Sequence, residues 1–142
     1  MDRIVLKWKR AHSFVKAQKA LRTEFEFQGR KRLFGLPCVY LLTDPTEEIV
    51  LRVGQSGDLW EEYKGSKYMI EAALYGSGNL VFVAEAPADE RERLMVERVL
   101  IARHHPKFNE QRPLPDRDVE LQHEGEVPRA FGATAPETGP AD

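Results

Sequence analysis

Two short apolar runs separated by a turn sequence are the strongest constraint on how this chain folds. Val39-Tyr40-Leu41-Leu42 is a continuous apolar run suited to a buried strand, and Ile49 to Val53 has the composition of a return strand. Between them, Pro45 fixes its own φ, and the side chain of Asp44 can bond to the backbone ahead of it. The two runs therefore predict a β-hairpin at the start of the folded core.

The sequence downstream predicts a third strand and two helices. Leu80 to Val83 is rich in β-branched and aromatic residues, as strands are. A helical stretch is predicted over 58–74, with Asp58 as its N-cap and an interruption at Gly65. A second helix is predicted from Asp89-Glu90 to about His104, because Pro106 disfavours helix in the residue before it. The core order is therefore β-β-α-β-α, which is an α+β fold class.

The N-terminal third carries a helical pattern and most of the positive charge. Ile4, Trp8, Ala11 and Val15 recur at spacings of four, three and four, which predicts an amphipathic helix. Residues 1–37 contain ten Lys/Arg against three Asp/Glu, a net charge of +7, whereas the remainder carries −9. A basic segment suits a polyanionic partner such as nucleic acid, and a solvated helix face explains the same charge equally well.

Composition divides the chain into three predicted segments. Residues 1–35 form a basic helical extension, which includes a short strand at Glu24 to Phe27 where apolar residues alternate with period two. Residues 36–109 contain the predicted core. Residues 110–142 are Pro-rich and acidic, and they are expected to form a tail that is disordered at least from about Gly125.

The sequence also gives an expectation about the compartment. Cys38 is the only cysteine, so it cannot form an internal disulfide, which agrees with a reducing cytoplasm. Lys7 interrupts the apolar residues near the N-terminus, so no secretory signal is predicted. No apolar run reaches the roughly 20 residues that a membrane-spanning helix needs. A cytoplasmic protein without a membrane partner is therefore expected.

Three short motifs carry a resemblance to a known family. Cys38-Val39-Tyr40 lies on the first predicted strand, and Arg52-Val53-Gly54 ends the second. The third motif, on the last helix and beyond it, consists of Glu97, Leu100-Ile101, Pro106 and Asn109. In type and spacing these residues resemble the Gly-Ile-Tyr, Tyr-Ile-Gly and helical glutamate motifs of the GIY-YIG nuclease superfamily. The resemblance covers roughly Gly35 to Asn109.

The resemblance implies both a fold and a chemistry. The fold would be a three-stranded antiparallel sheet flanked by helices, here preceded by the basic N-terminal helix. The activity would be divalent-metal-dependent endonuclease cleavage of nucleic acid, with DNA favoured over RNA and Mg²⁺ or Mn²⁺ as the cofactor. Glu97 would be the metal ligand. Its helical neighbours Leu94, Leu100 and Ile101 place it near the apolar side, where a carboxylate needs a cation or hydrogen-bond donors.

The chain departs from the family pattern at two catalytic positions. Arg52 replaces the tyrosine of the second motif, and Glu62 stands where the family has an arginine. Arg52 can bind phosphate but cannot act as a general base, and Lys64 or Lys67 could replace the missing arginine. The candidate catalytic residues are therefore Tyr40, Arg52, Lys67, Glu97 and Asn109. The candidate nucleic-acid-binding residues are Lys16, Lys19, Arg22 and Lys64.

Each motif residue also has a structural interpretation. Tyr40 can be a core residue of a strand, Glu97 can be an ion-paired helix residue with Arg93 or Arg98 as its partner, and Asn109 can stabilise a helix exit. The alternative function is therefore a catalytically inactive GIY-YIG-fold module that binds DNA or a partner protein. A third hypothesis is a protein-interaction or inhibitor domain with no nucleic-acid role.

Overall fold

A mixed β-sheet forms the centre of the molecule in the computed structural model. The structure describes residues 2–12, 14–59, 78–110, 119–132 and 137–139. Within them the elements are, in chain order, β1 (Asp2–Ala11), α1 (Phe14–Ala20), β2 (Arg22–Phe27), β3 (Arg30–Gly35), β4 (Cys38–Thr43), β5 (Val50–Ser56), β6 (Leu80–Glu85), α2 (Glu90–His104), β7 (Val119–Gly125), a 3₁₀ helix (Arg129–Phe131) and β8 (Glu137–Gly139). The fold class is α+β, as predicted.

The main sheet contains five strands and the three-residue edge strand β8, in the order β5-β4-β6-β1-β7-β8. Its neighbouring strands are antiparallel, except that β1 and β7 are parallel. Strands β5, β4 and β6 are the three core strands that the sequence predicts. The sheet they belong to is larger and mixed, so a three-stranded antiparallel sheet does not describe this fold. Among the strands that the structure describes, β2 and β3 pair only with each other, as a separate ribbon.

The predicted hairpin is confirmed as β4 and β5, in which Leu41 pairs with Val53. Asp44 organises the turn, since its Oδ1 accepts hydrogen bonds from the backbone N–H groups of Glu48 and Ile49, both at 2.9 Å. The hydroxyl of Thr46 donates to the other carboxylate oxygen. The Thr46 hydrogen bond, followed by the backbone hydrogen bonds, lowers the pKa of Asp44 below its ordinary value.

The predicted helix over 90–104 is confirmed as α2. Oδ1 of Asp89 accepts hydrogen bonds from the N–H groups of Arg91 at 2.7 Å and Glu92 at 3.3 Å, so Asp89 is the N-cap. At the other end His105 has a left-handed backbone with φ of +46°, and its N–H donates to the carbonyl of Ile101. The helix therefore ends before Pro106, as the sequence indicates.

The predicted N-terminal helix is wrong over residues 2–11, which form β1. Leu6 and Trp8 are buried in the core, whereas Lys7 and Lys9 are exposed, which is the alternation of a strand. Apolar residues four positions apart, such as Ile4 and Trp8, satisfy a period of two as well as one of 3.6. Pairing with β7 and β6 stabilises the extended conformation, so these residues form a strand and not a helix. Within the described part of residues 1–35, helix is found only over the seven residues of α1.

The structure also differs from the predicted tail. β7 pairs with β1, and both Val119 and Leu121 are fully buried. Trp8 Nε1 donates to Nδ1 of His123 at 2.9 Å, and the rings of Trp8 and Phe131 lie edge to face at 5.8 Å. Residues 119–132 are thus part of the packed structure. Their few apolar residues alternate with polar ones, which gives this segment a polar average composition.

Both faces of the sheet are covered near β4 and β6. The cluster on the α2 side includes Val39, Leu41, Phe82, Val96 and Leu100. The cluster on the opposite face includes Tyr40, Leu42, Val81, Val83 and, from α1, Ala17. Because successive strand residues point to opposite faces, Tyr40 and α2 lie on different sides of the sheet.

Candidate functional site

Tyr40 lies in the sheet face opposite α2, with only 2% of its surface exposed. The strand register pairs it with Gly54, the glycine of the second motif. A Cβ added to Gly54 would lie 2.2 Å from Cζ and 2.3 Å from the hydroxyl oxygen of Tyr40. The tyrosine ring therefore covers the backbone of Gly54, which gives both motif residues a packing role.

Arg52 contacts the segment that follows α2. Strand register places it opposite Leu42, on the same face as Tyr40. Its Nη1 donates a hydrogen bond to the carbonyl oxygen of Phe108 at 2.6 Å. The N–H of Phe108 in turn donates to the carbonyl of Leu51 at 2.9 Å, so residue 108 is held at two points along β5.

Asn109 binds the backbone of β5 through both groups of its side-chain amide. The N–H of Val53 donates to Oδ1 of Asn109 at 2.7 Å, and Nδ2 of Asn109 donates to the carbonyl of Val53 at 2.9 Å. β5 is an outer strand of the sheet, so this edge has no neighbouring strand in the described part of the chain. We call Arg52, Phe108 and Asn109 the β5 edge clamp. Phe108 and Asn109 satisfy outward backbone groups of that strand, and Arg52 holds Phe108 against it.

Replacing Asn109 with alanine is expected to destabilise the protein by about 1–3 kcal/mol, since it leaves the N–H and C=O of Val53 without protein partners. Asn109→Asp keeps the acceptor and loses the donor, so its effect should be intermediate. The free energy of unfolding from urea denaturation measures both. Glu110→Ala, an exposed neighbour, is the control. An Asn109→Ala protein as stable as this control would contradict the clamp.

Glu97 is half-buried on α2, one helical turn from both Arg93 and Ile101. Helix residues four apart share a side, and Arg93 faces β5 because its Nε donates to Oε1 of Gln55 at 2.9 Å. Glu97 is therefore placed on the side of α2 that packs against β5.

Arg93 has a structural role that the sequence does not predict. It is 7% exposed, and its Nη1 donates to the carbonyls of Ala88 at 2.6 Å and Pro87 at 3.3 Å. Together with the hydrogen bond to Gln55, these contacts fix the loop before α2 to the end of β5. The sequence predicts Arg93 only as an ion-pair partner of Glu97. Its position one turn inside a capped helix is the signal that could have suggested a loop-fixing role.

The predicted catalytic residues surround β5 but lie on different sides of it. Tyr40 and Arg52 occupy the face away from α2, Asn109 lies at the strand edge, and Glu97 belongs to α2. Among the described residues no group of three or more His, Cys, Asp or Glu side chains is arranged to hold a metal ion. Glu97 could still supply the single carboxylate that Mg²⁺ or Mn²⁺ uses together with substrate phosphates. Lys67 lies outside the described residues.

The predicted nucleic-acid-binding residues lie at the junction of α1 and the ribbon. Lys16 and Lys19 are exposed on α1, and Arg22 is the first residue of β2. Lys64 falls outside the described residues, as do Glu62 and almost all of the helical stretch predicted over 58–74.

Comparisons of the chain with protein-family models, with curated proteins and with solved structures give no match. The GIY-YIG resemblance therefore rests on the motif residues themselves and remains a prediction. In the part of the chain that the structure describes, no helix has the length and apolar character needed to cross a membrane.

Proposed function

We propose that this chain is a nucleic-acid-binding module on a GIY-YIG-like core, with motif residues that serve the scaffold rather than hydrolysis. The observation that carries the proposal is the β5 edge clamp. Arg52 and Asn109, two of the candidate catalytic residues, both hydrogen-bond to the backbone of the chain itself. An asparagine whose oxygen and nitrogen are both engaged by Val53 has reduced capacity to orient a substrate.

Charge supports the binding part of the proposal. The net charge of +7 in residues 1–37 includes exposed cations at Lys16, Lys19, Arg30 and Lys31. Lys and Arg side chains that neutralise phosphates release condensed counterions, so such binding weakens steeply as the salt concentration rises. The remainder of the chain carries a net charge of −9, so the basic region is the expected contact.

A metal-dependent endonuclease is the second candidate, favoured by the placement of Glu97 on the β5 side of α2. In that case Glu97 would hold Mg²⁺ or Mn²⁺, which supplies charge stabilisation for the phosphoryl group when bound. The ammonium of Lys67 would assist phosphate binding. The family resemblance also assigns proton transfer to the hydroxyl of Tyr40, but Tyr40 is buried on the sheet face away from α2, and this placement favours the binding module over the endonuclease.

The test combines binding and cleavage on the same preparations. We expect salt-dependent affinity for DNA without cleavage of plasmid, single-stranded DNA or RNA in Mg²⁺ or Mn²⁺, and Glu97→Gln should not change the affinity. Cleavage that disappears in Glu97→Gln but persists in Glu92→Gln, another glutamate of α2, would instead establish the endonuclease. Absence of nucleic-acid affinity at low salt would overturn both and favour a protein-interaction domain.

A further inference from the structure

In the described ranges of the chain, strands β2 and β3 form a two-stranded ribbon that is separate from the main sheet. Six residue pairs join them, from Arg22 with Gly35 at the base to Phe27 with Arg30 at the tip. With about 3.4 Å per residue, each six-residue strand extends roughly 20 Å. A ribbon of this kind is only marginally stable in water unless it packs against something else.

The tip of the ribbon is a tight hairpin turn. Gln28 and Gly29 both have positive φ, 52° and 72°, which is the pattern of the two-residue type I′ turn. This turn matches the right-handed twist of the strands and makes the end of the ribbon narrow. A narrow, twisted two-stranded ribbon has the right cross-section for a groove about 12 Å wide.

The base of the ribbon is fixed to the core. The N–H of Leu36 donates to the carbonyl of Leu21 at 2.6 Å. Leu21 belongs to the core cluster that contains Tyr40, and Leu36 packs against that cluster. The N–H of Gly35 donates to Oδ1 of Asp58 at 2.9 Å. The ribbon is therefore held at one end, with its turn at the other.

Positive charge is concentrated on the ribbon and on the helix that precedes it. Residues 14–35 contain six Lys/Arg and two Glu, a net charge of +4 in a chain whose total is −2. Arg30 and Lys31 follow the turn directly and are exposed. Exposed Lys16 and Lys19 lie on α1, which is separated from β2 by one residue. The cations thus occur at both the tip and the base.

We infer that the β2–β3 ribbon enters the major groove of duplex DNA, an inference that rests on the nucleic-acid binding proposed above. Arg30 and Lys31 then contact phosphates at the groove, and Lys16 and Lys19 contact the backbone beside it. The major groove of B-DNA admits a two-stranded ribbon. The deep, narrow major groove of duplex RNA does not admit such a ribbon, so the ribbon should bind duplex DNA in preference to duplex RNA.

The test measures the salt dependence of the affinity of the full chain for a short DNA duplex. Each phosphate contact contributes about 0.9 to the slope of log K against log salt. Arg30→Gln combined with Lys31→Gln should therefore reduce the slope by about 1.8. Glu24→Gln combined with Glu26→Gln, on the paired strand, is the matched control and should leave the slope undiminished. Affinity for duplex RNA should be weaker and unaffected by the Arg30/Lys31 change.

Two further measurements locate the contact. Amide hydrogen exchange in the ribbon should slow when duplex DNA is added, and guanine N7, in the major groove, should be protected from dimethyl sulfate. An unchanged slope in Arg30→Gln/Lys31→Gln, or protection confined to adenine N3 in the minor groove, would overturn the ribbon inference while DNA binding itself stood. A chain with no affinity for duplex DNA would overturn the proposed function as well.

Discussion

Replacement of Gly54 by alanine is expected to destabilise the folded protein by about 3 kcal/mol or more, because an added methyl group would overlap a buried side chain. The new Cβ would lie 2.2 Å from Cζ of Tyr40, far inside contact distance. Tyr40 cannot swing away, because it is 2% exposed and packed in a core cluster with Leu42 and Val83. Urea denaturation followed by circular dichroism measures the loss.

Two controls separate this contact from a general intolerance of substitution. A Cβ on Gly57 would lie 3.3 Å from Nη2 of Arg93, a contact that a shift of a few tenths of an ångström relieves, so Gly57→Ala should cost less than about 1 kcal/mol. Tyr40→Ala is destabilising by itself, but adding Gly54→Ala to it should cost little, because the ring is gone. An equal cost of Gly54→Ala in both backgrounds would contradict the close packing of Tyr40 on Gly54.

Gly125→Ala is expected to destabilise the protein by about 3 kcal/mol through two effects that act together. Gly125 has φ of +80°, and a Cβ there would lie 2.5 Å from the carbonyl oxygen of Trp8. That oxygen belongs to the backbone of β1, which cannot shift without disturbing the parallel pairing of Trp8 with Gly125. Thermal unfolding should show a markedly lower midpoint.

Gly29→Ala measures how much of the destabilisation expected for Gly125→Ala comes from the backbone conformation alone. Gly29 has φ of +72°, close to that of Gly125, and nothing lies within 4 Å of the Cβ position. Its replacement should therefore cost only about 1 kcal/mol, the usual penalty of a left-handed conformation for alanine. An equal loss of unfolding free energy in Gly125→Ala and Gly29→Ala would show that the close approach of Gly125 to Trp8 does not contribute to the cost.

The elements that the sequence predicts well are those whose signals are local. The turn at Asp44 and the cap at Asp89 each act on backbone groups no more than five residues away, so the hairpin and α2 follow from short stretches of sequence. β1 has no such signal. Its periodicity is ambiguous, and its parallel partner β7 is more than a hundred residues distant in a segment of polar average composition.

In the candidate site, too, the residues could be predicted from the sequence but their long-range contacts could not. The motif residues Tyr40, Gly54 and Asn109 are recognisable in the sequence, but the contact of Tyr40 with Gly54 and that of Asn109 with Val53 depend on strand register and on the path of the chain after α2. A motif specifies which residues occur, and their contacts determine what they do. For this reason the structural interpretation of Asn109 could be weighed only once the edge of β5 was known.

The pairing of β1 with β7 also has a consequence for how the chain is made. Trp8 and His123, joined by a hydrogen bond across these strands, are 115 positions apart. At a synthesis rate of about 5–20 residues per second, β7 follows β1 out of the ribosome by on the order of ten seconds. Throughout that interval residues 2–8 present a strand edge with no partner from β7. Completion of the sheet therefore waits for the synthesis of β7. Until then the nascent β1 strand needs protection from pairing with other chains, which a chaperone can supply.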